Sequence, residues 1–265
     1  MDKVRIFQVD AFTDRAFAGN PAAVCLLEKA ADSNWMQNVA AEMNLSETAF
    51  LVARPEGFGL RWFTPTIEVP LCGHATLASA HALWDADIVP HAESIRFDSL
   101  SGALIATRNE NMIELDFPAA PPTETEPPAG LLETLGVSPV FVGESDYDKV
   151  VVVESEQIVR DLAPDFRQLS QVDCRGVMVT STSAEKEFDF VSRFFAPQSG
   201  IDEDPVTGSA HCSLGPYWAE QLGKTELVGY QASARGGVVR VRLEGDRVVL
   251  GGQAVTVFQG ELAIE

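Results

Sequence analysis

The sequence predicts an α+β protein made of two pseudo-symmetric domains, each a curled, mostly antiparallel sheet around one central helix. Short runs of β-branched and aromatic residues outnumber helical patterns in both halves of the chain. A proline-rich segment divides the chain nearly in half, and each half repeats one loop-to-helix sequence. A chain of 265 residues can bury two modest cores. The repeat favours two domains over one.

The repeated sequence runs from an aromatic strand end through a Phe-x-Pro loop into a glycine that begins a helix. Phe63 leads to Gly73 in the first half, and Phe195 leads to Gly208 in the second. A helix N-terminus offers unpaired N–H groups and a partial positive charge, so it can bind a carboxylate or phosphate. Two such ends predict half-sites that face each other across an interdomain cleft. A tight turn into a helix explains either glycine on its own.

The clearest domain boundary is the segment 118–128, which contains five prolines. Proline disfavours helix and sheet pairing, so we expect a stiff linker here. This predicts an N-terminal domain at 1–118 and a C-terminal domain at 129–265. An arrangement in which the last strand crosses back to the first domain stays open.

The predicted elements follow a similar order in the two halves. The first half has strands near 4–10, 22–27, 48–53, 59–63, 95–97, 103–107 and 113–117, with helices near 33–43 and from Gly73. The second half has strands near 149–153, 176–180, 188–195, 237–243, 247–250 and 254–258, with helices near 156–169 and from Gly208. Pro216 cannot donate to the carbonyl of Cys212 and predicts a kink in the last helix.

The composition excludes several classes of function. A net charge of −20, from 39 acidic and 19 basic residues, repels nucleic acid. No segment reaches the roughly 20 apolar residues that a membrane span needs, and the N-terminus lacks the apolar core of a signal peptide. We therefore expect a cytoplasmic protein. No P-loop or G-x-G-x-x-G supports nucleotide binding.

The cysteine and histidine spacings do not indicate a metal site. The four cysteines form no C-x-x-C pair, and the four histidines form no H-E-x-x-H. We expect free thiols, three of them buried, and no disulfide framework.

Three residues of the first half are candidates for chemistry. Glu47 enters a strand between apolar stretches, where partial desolvation raises the pKa of a carboxyl group towards the range of a general acid/base. An ordinary loop charge explains Glu47 as well. His74 follows Gly73, so its ring is expected at the helix N-terminus, in a structural role or against substrate. Cys72 precedes Gly73, where a helix N-terminus favours a thiolate.

The matching segment of the second half offers Asp204, Thr207 and Ser209 around Gly208. Asp204 is either an N-cap carboxylate or a group for proton transfer, since neighbouring carboxylates shift each other's pKa. Ser209 corresponds to His74, and capping is its simpler role. Thr207 corresponds to Cys72, so no second thiol is expected opposite Cys72, which weighs against a two-thiol mechanism. No G-x-S-x-G supports a nucleophilic serine.

Five motifs together resemble one known family, the phenazine-biosynthesis PhzF family. They occur in order and span both halves: FAGNPAAV at 17–24, NLSETAF at 44–50, LCGHAT at 71–76, SRFFAP at 192–197 and EDPVTGSAH at 203–211. The resemblance implies a diaminopimelate-epimerase-like fold that assembles as a homodimer. The family's namesake isomerises a dihydro-hydroxyanthranilic acid without a cofactor, through carboxylate acid/base chemistry.

The resemblance also implies roles for individual residues. Glu47 would shuttle the proton, and His74, Asp204 and Ser209 would line the site and assist. The N–H groups around Gly73 and Gly208 would hold the substrate carboxylate, with Cys72 and Thr207 beside them. The expected partner is a small carboxylate, not nucleic acid or a membrane.

Two alternatives to such an isomerase stay open. An amino-acid racemase, epimerase or hydroxyproline-type dehydratase on the same fold would use a first thiol motif like Leu71-Cys72-Gly73-His74. A non-catalytic protein would use the same cleft to bind a small carboxylate. Replacing Glu47 by Gln separates binding from proton transfer.

Overall fold

The chain divides into two compact units. The computed structural model describes residues 3–146 and 148–263. One unit comprises Met1–Asp116 with Gly251–Glu265, and the other comprises Phe117–Leu250. The second unit thus begins before residue 129, and the C-terminal segment belongs with the first unit.

The first unit contains a mixed sheet with two helices. Its elements are β1 Val4–Ala11, β2 Asn20–Leu27, α1 Ser33–Met43, β3 Glu47–Arg54, β4 Gly57–Phe63, β5 Glu68–Val69, α2 Gly73–Asp85, β6 Ile95–Ser99, β7 Gly102–Asn109 and β8 Met112–Pro118. The last strand of the chain, Ala254–Leu262, pairs antiparallel with β1 from Val4↔Leu262 to Ala11↔Ala254. The strand order is therefore the last strand, β1, β2, β3, β4, β6, β7 and β8.

The second unit repeats this organisation. Its elements are β9 Thr123–Glu124, α3 Leu131–Leu135, β10 Phe141–Glu144, β11 Asp148–Val152, α4 Glu156–Asp161, α5 Phe166–Leu169, β12 Gly176–Thr182, β13 Phe190–Ala196, a 3₁₀ turn Pro197–Ser199, β14 Ile201–Asp204, α6 Gly208–Leu222, β15 Glu226–Gln231 and β16 Gly237–Glu244. The chain ends with β17 Arg247–Gly252 and β18 Ala254–Leu262, the strand that pairs with β1.

The pseudo-symmetry is visible in the strand pairing. In the first unit β2 and β3 pair parallel, β3 and β4 antiparallel, β4 and β6 parallel, and β6 and β7 antiparallel. In the second unit the same four steps join β11, β12, β13, β15 and β16. A helix lies between the strands of each parallel pair, as a parallel connection requires. The predicted α+β class with two similar halves is confirmed.

A long helix lies at the centre of each unit. The helix α2 packs against β1, β2, β3 and β18, and its predicted apolar residues Leu77, Ala80 and Trp84 are fully buried. The helix α6 packs against β15 and β16. Its Trp218 indole also donates to Thr180 Oγ1 at 3.0 Å in β12. Within residues 3–146 and 148–263, no helix combines the length and apolar character that crossing a membrane requires.

The elements differ from the prediction at three proline-containing segments. The helix expected at 156–169 is two short helices, because Pro164 lacks an N–H and constrains its preceding residue. The linker 118–128 was expected to avoid sheet pairing, but β9 pairs with β10 between the prolines. The helix α6 continues past Pro216, and the N–H of Ala120 donates at 3.0 Å to the Cys212 carbonyl that Pro216 leaves without a helical donor.

Candidate active site

Glu47 is placed by the end of α1 and the parallel pairing of β2 with β3. Asn44 ends α1 in the left-handed conformation with φ 50°, and its N–H bonds the carbonyl of Ala40. The chain then turns into β3, whose first residue is Glu47. Because β2 and β3 are parallel, with Ala22 opposite Glu47, both strands begin at the same edge of the sheet. The N-terminus of α2 reaches this edge.

The predicted residues of the first half are close together at that edge. His74 Nε2 lies 3.2 Å from Glu47 Oε2, a hydrogen-bond distance that is not aligned as a full hydrogen bond. His74 Nδ1 lies 3.6 Å from Cys72 Sγ. His74 and Cys72 are buried and Glu47 is half-buried. Burial lowers the pKa of His74 to about 3, so its imidazole is neutral at physiological pH.

Asn20, the first residue of β2, completes this group. Its side-chain amide Nδ2 lies 3.1 Å from His74 Nδ1, and the residue is fully buried. Gly19 allows this placement, because it has φ +65° and a Cβ there would lie 2.1 Å from the Ala11 carbonyl oxygen. The sequence analysis missed Asn20 as a site residue. A Gly-Asn-Pro run directly at a strand start was the available signal.

The group also contains a set of metal-type ligands that spacing along the chain did not predict. Glu47, Cys72 and His74 each offer one ligand atom within 4.8 Å of the other two. However, the thiol lies beside Nδ1 of His74 and the carboxylate lies beside Nε2. Only one of these two nitrogens can bind the same ion as the thiol and the carboxylate. The expectation of no metal stays a prediction.

The predicted residues of the second half surround the N-terminus of α6. Thr207 Oγ1 donates to Asp204 Oδ2 at 2.5 Å. The Thr207 N–H donates to Gln231 Oε1 at 2.8 Å, and Gln231 Nε2 donates to the Asp204 carbonyl at 2.7 Å. Asp204, Thr207 and Gln231 are buried, whereas Ser209 is exposed in the first turn of α6. Gln231 was not predicted.

Glu203 and Asp204, two neighbouring acidic residues before α6, have different partners. Arg193 forms a bidentate pair with Glu203, at 2.6 and 2.9 Å. Its guanidinium also donates to the carbonyl of Leu162 at 2.6 Å. Glu203 is therefore part of a structural ion pair. Asp204 accepts from the Thr207 hydroxyl, and the N-cap of α6 is Thr207 rather than Asp204.

The helices that begin at Gly73 and Gly208 are capped differently from α1. Asp32 caps α1 by accepting from the N–H groups of Asn34 and Trp35. Cys72 and Thr207 are the N-caps of α2 and α6, and neither side chain accepts a hydrogen bond from its helix. The first N–H groups of both helices are thus not satisfied by their N-cap side chains, as anion binding requires.

The thiols fit a single-thiol site at most. All four cysteines are free, with Cys25, Cys72 and Cys212 buried and Cys174 half-buried, as predicted. Burial raises the pKa of Cys212 to about 12, which keeps that thiol protonated. The N-cap that corresponds to Cys72 is Thr207, so the matched positions hold one thiol and one hydroxyl.

Comparison with known proteins establishes the family. The model of the phenazine biosynthesis-like (PhzC-PhzF) proteins matches residues 9–260. An uncharacterized isomerase of Halalkalibacterium halodurans is 54% identical over 260 residues, covering 98% of each chain. A human phenazine biosynthesis-like domain-containing protein is 42% identical over 287 residues, covering 98% of this chain and 99% of the relative. The chain belongs to the PhzF family, as its motifs predict.

Solved structures agree with this assignment. The crystal structure of a PhzF-family protein of Enterococcus faecalis superposes with a TM-score of 0.94 at 41% identity, covering 99% of this chain and 100% of that one. A predicted epimerase of Pseudomonas aeruginosa superposes with a TM-score of 0.75 at 23% identity, covering 98% and 99%. At this identity the second likeness shows the fold alone.

Proposed function

We propose that this protein is a cofactor-independent isomerase that moves a proton between two carbons of a small carboxylic acid. The observation that carries the proposal is the half-buried carboxylate of Glu47, 3.2 Å from His74 Nε2 at the edge where α2 begins. Two relatives are named as uncharacterized isomerases, which supports isomerisation as the class of reaction. The family resemblance supports Glu47 as the acid/base.

The reaction that we propose uses Glu47 in both directions. Its carboxylate accepts a proton from an acidic C–H, and the bonding electron pair moves into the adjacent unsaturated system. The carboxylic acid then returns the proton to another carbon, which gives a double-bond or amine/imine isomer of unchanged composition. Positioned proton transfer of this kind contributes about 10²–10⁴-fold to the rate.

The helix N-termini supply the complementary charge. The first N–H groups of α2, at Gly73, are not capped by the Cys72 side chain and suit a substrate carboxylate and the negative charge that develops during proton transfer. In the second unit, the start of α6 at Gly208 likewise has no cap from the Thr207 side chain. Removing one such donor typically costs about 10²–10³-fold in kcat. Asp204 and Ser209 would line the site and assist the proton transfer, as the family resemblance implies.

A thiol-dependent dehydratase or racemase is the second candidate. The Cys72 thiol, 3.6 Å from His74 Nδ1, favours it. A racemase with two opposed thiols is disfavoured because Thr207 occupies the matched N-cap. Inactivation by iodoacetamide that substrate blocks would support a one-thiol reaction.

The proposal is tested by proton NMR in D₂O with a panel of small carboxylates. The panel contains dihydro-hydroxyanthranilate, diaminopimelate, proline and hydroxyproline. We expect the wild type to incorporate deuterium into one of them or to form an isomer, and Glu47→Gln to lose this activity by at least about 10²-fold.

The matched control is Glu42→Gln, which removes the same charge from an exposed position on α1 of the same unit. It should exchange at the wild-type rate. Binding of a carboxylate without exchange, equal in wild type and Glu47→Gln, would contradict the proposal and favour a binding protein.

A further inference from the structure

We propose that Asn20 is a positioning residue that holds neutral His74 as the Nε2–H tautomer and so places that N–H beside the Glu47 carboxylate. This inference rests on the proposed function only where Glu47 acts as the acid/base. The tautomer itself is a property of the protein without substrate.

His74 is a neutral imidazole in the folded protein. Burial lowers the pKa of His74 to about 3, so near neutral pH the ring carries one proton, on either Nδ1 or Nε2. In the neutral ring the protonated nitrogen donates a hydrogen bond and the other accepts. The groups that face the two nitrogens therefore decide the tautomer.

Nδ1 faces two groups that can donate. The amide nitrogen of Asn20 lies 3.1 Å away, and the Cys72 thiol lies 3.6 Å away. Nε2 instead faces a carboxylate oxygen of Glu47 at 3.2 Å, which can only accept when ionised. A proton on Nε2 is compatible with these contacts, because the one lone pair of Nδ1 then accepts from the Asn20 amide and Nε2–H lies beside the Glu47 carboxylate, at a hydrogen-bond distance but without full alignment.

The opposite tautomer is inconsistent with an ionised Glu47. Turning the Asn20 amide over would place its oxygen against Nδ1 and require a proton there. The lone pair of Nε2 would then face the Glu47 carboxylate, with two acceptors 3.2 Å apart and largely buried. Such an arrangement sets two acceptors against each other in a buried place, which disfavours this tautomer.

The positioning has a chemical consequence. An N–H that faces Glu47 favours its carboxylate over its carboxylic acid, and hence the form that can remove a proton from carbon. Asn20 does not reach the substrate in this account. It acts through His74 on Glu47.

The test is ¹⁵N NMR of histidine-labelled protein without substrate, with His74→Asn to assign the ring. Two-bond ¹⁵N–¹H couplings show which nitrogen carries the proton. We expect the wild type to have Nε2 protonated and Nδ1 bare at pH 7. An Nδ1–H tautomer or an imidazolium in the wild type would overturn the proposal.

Asn20→Asp is the matched variant, because aspartate has the same shape but accepts where the amide donates. We expect the proton of His74 to move to Nδ1, where it can donate to the aspartate. A wrong histidine tautomer costs up to about 10⁴-fold in kcat in a serine protease. We therefore expect kcat/KM to fall by about 10-fold or more at neutral pH. Without the Nε2–H donor, the acidic limb of the pH profile should move to higher pH.

The control is Asn109→Asp, which makes the same charge change at an exposed position of β7. It should leave the tautomer and the pH profile unchanged. An Nε2–H tautomer that persists in Asn20→Asp would overturn the role of Asn20. If Asn20→Asp does not fold, the ¹⁵N measurement on the wild type still tests the proposal, because an Nδ1–H tautomer there would overturn it. Failure of the proposed function would have a different result. No carboxylate of the panel would then incorporate deuterium with the wild-type protein, whichever tautomer His74 adopts.

Discussion

Gln231, a residue with no motif around it, links both ends of the loop that leads into α6. Its amide accepts from the Thr207 N–H and donates to the carbonyl of Asp204 and, at 3.1 Å, to Thr207 Oγ1. It is fully buried at the end of β15. The loop that carries Asp204 and Thr207 thus depends on one side chain more than 20 residues away in sequence.

We expect Gln231→Met to lower the free energy of unfolding by about 2–4 kcal/mol, measured by urea titration. Methionine has a similar length but cannot make these hydrogen bonds, and each buried group left unpaired costs about 1–3 kcal/mol. The control is Gln157→Met on the exposed face of α4, with an expected change within roughly 0.5 kcal/mol. Equal effects at both positions would contradict this role for Gln231.

Individual site residues could be predicted from the sequence only where a local pattern identified them. Glu47, Cys72 and His74 were proposed separately, from a strand entry and a helix N-terminus, and the structure brings them together. Asn20 and Gln231 were missed because their partners are distant in sequence, 54 residues away for Asn20. Only the strand pairing brings such residues into contact.

At the scale of elements, α2 and α6 lack the side-chain N-cap that α1 has, a feature that they share with α4. The side chain of Asp32 accepts from the N–H groups of Asn34 and Trp35, at 2.9 and 3.3 Å. The N-caps of α2 and α6, Cys72 and Thr207, make no such bond. The first kind of end stabilises its helix, and the second leaves donors for a ligand.

We expect Asp32→Ala to lower the free energy of unfolding by about 1 kcal/mol, because the variant loses a side-chain N-cap. Proton exchange with the substrate should be unaffected, since Asp32 is not part of the candidate site. Urea titration together with the D₂O assay checks both statements. Unchanged stability would show that the cap contributes nothing.

The elements that the sequence predicted are those with long periodic patterns. The helix at 33–43 and the helices from Gly73 and Gly208 are present with those starts. The strand β15 was missed because Gly229 interrupts its pattern. The structure explains that glycine, since a Cβ at this position would lie 2.5 Å from the ring of Phe190. Close packing, which the sequence pattern does not show, accounts for this missed strand.

At the scale of the whole molecule, buried neutral histidines make the fold sensitive to acid. Burial lowers the pKa of His74 to about 3 and of His211 to about 4. The unfolded chain binds these protons first, near pH 6.5. The free energy of unfolding is therefore highest, as far as these two histidines are concerned, above about pH 6.5. It decreases as the pH falls from 6.5 towards 4, because the unfolded chain then binds protons that the folded protein does not. Each histidine contributes up to about 1.4 kcal/mol per pH unit in this window.

We expect His211→Gln to reduce the slope of unfolding free energy against pH by about 1 kcal/mol per pH unit between pH 6.5 and 4.5. Glutamine does not titrate, and the remaining slope comes from other groups, including Glu156, whose pKa is lowered in the folded protein. Urea titrations at several pH values give both slopes. Parallel curves for wild type and variant would contradict a neutral, buried His211.

The domain-scale repeat was the most informative sequence feature, because it depends on order rather than on exact boundaries. The two helices that begin at Gly73 and Gly208 are the central helices of their units. The same sequence of four strand pairings occurs in both units. The return of β18 to β1 could not be decided from sequence, since a strand pattern does not identify its partner.

The most direct test of the account compares Glu47→Gln with Cys72→Ser in D₂O, on the carboxylate that the wild type converts. The measured quantity is the rate of deuterium incorporation into that substrate. Proton transfer by Glu47 predicts that Glu47→Gln loses at least about 10²-fold, whereas Cys72→Ser, which keeps a hydroxyl at the N-cap, exchanges at a rate of the wild-type order. Exchange that survives in Glu47→Gln and is lost in Cys72→Ser would contradict the account and move the chemistry to the thiol.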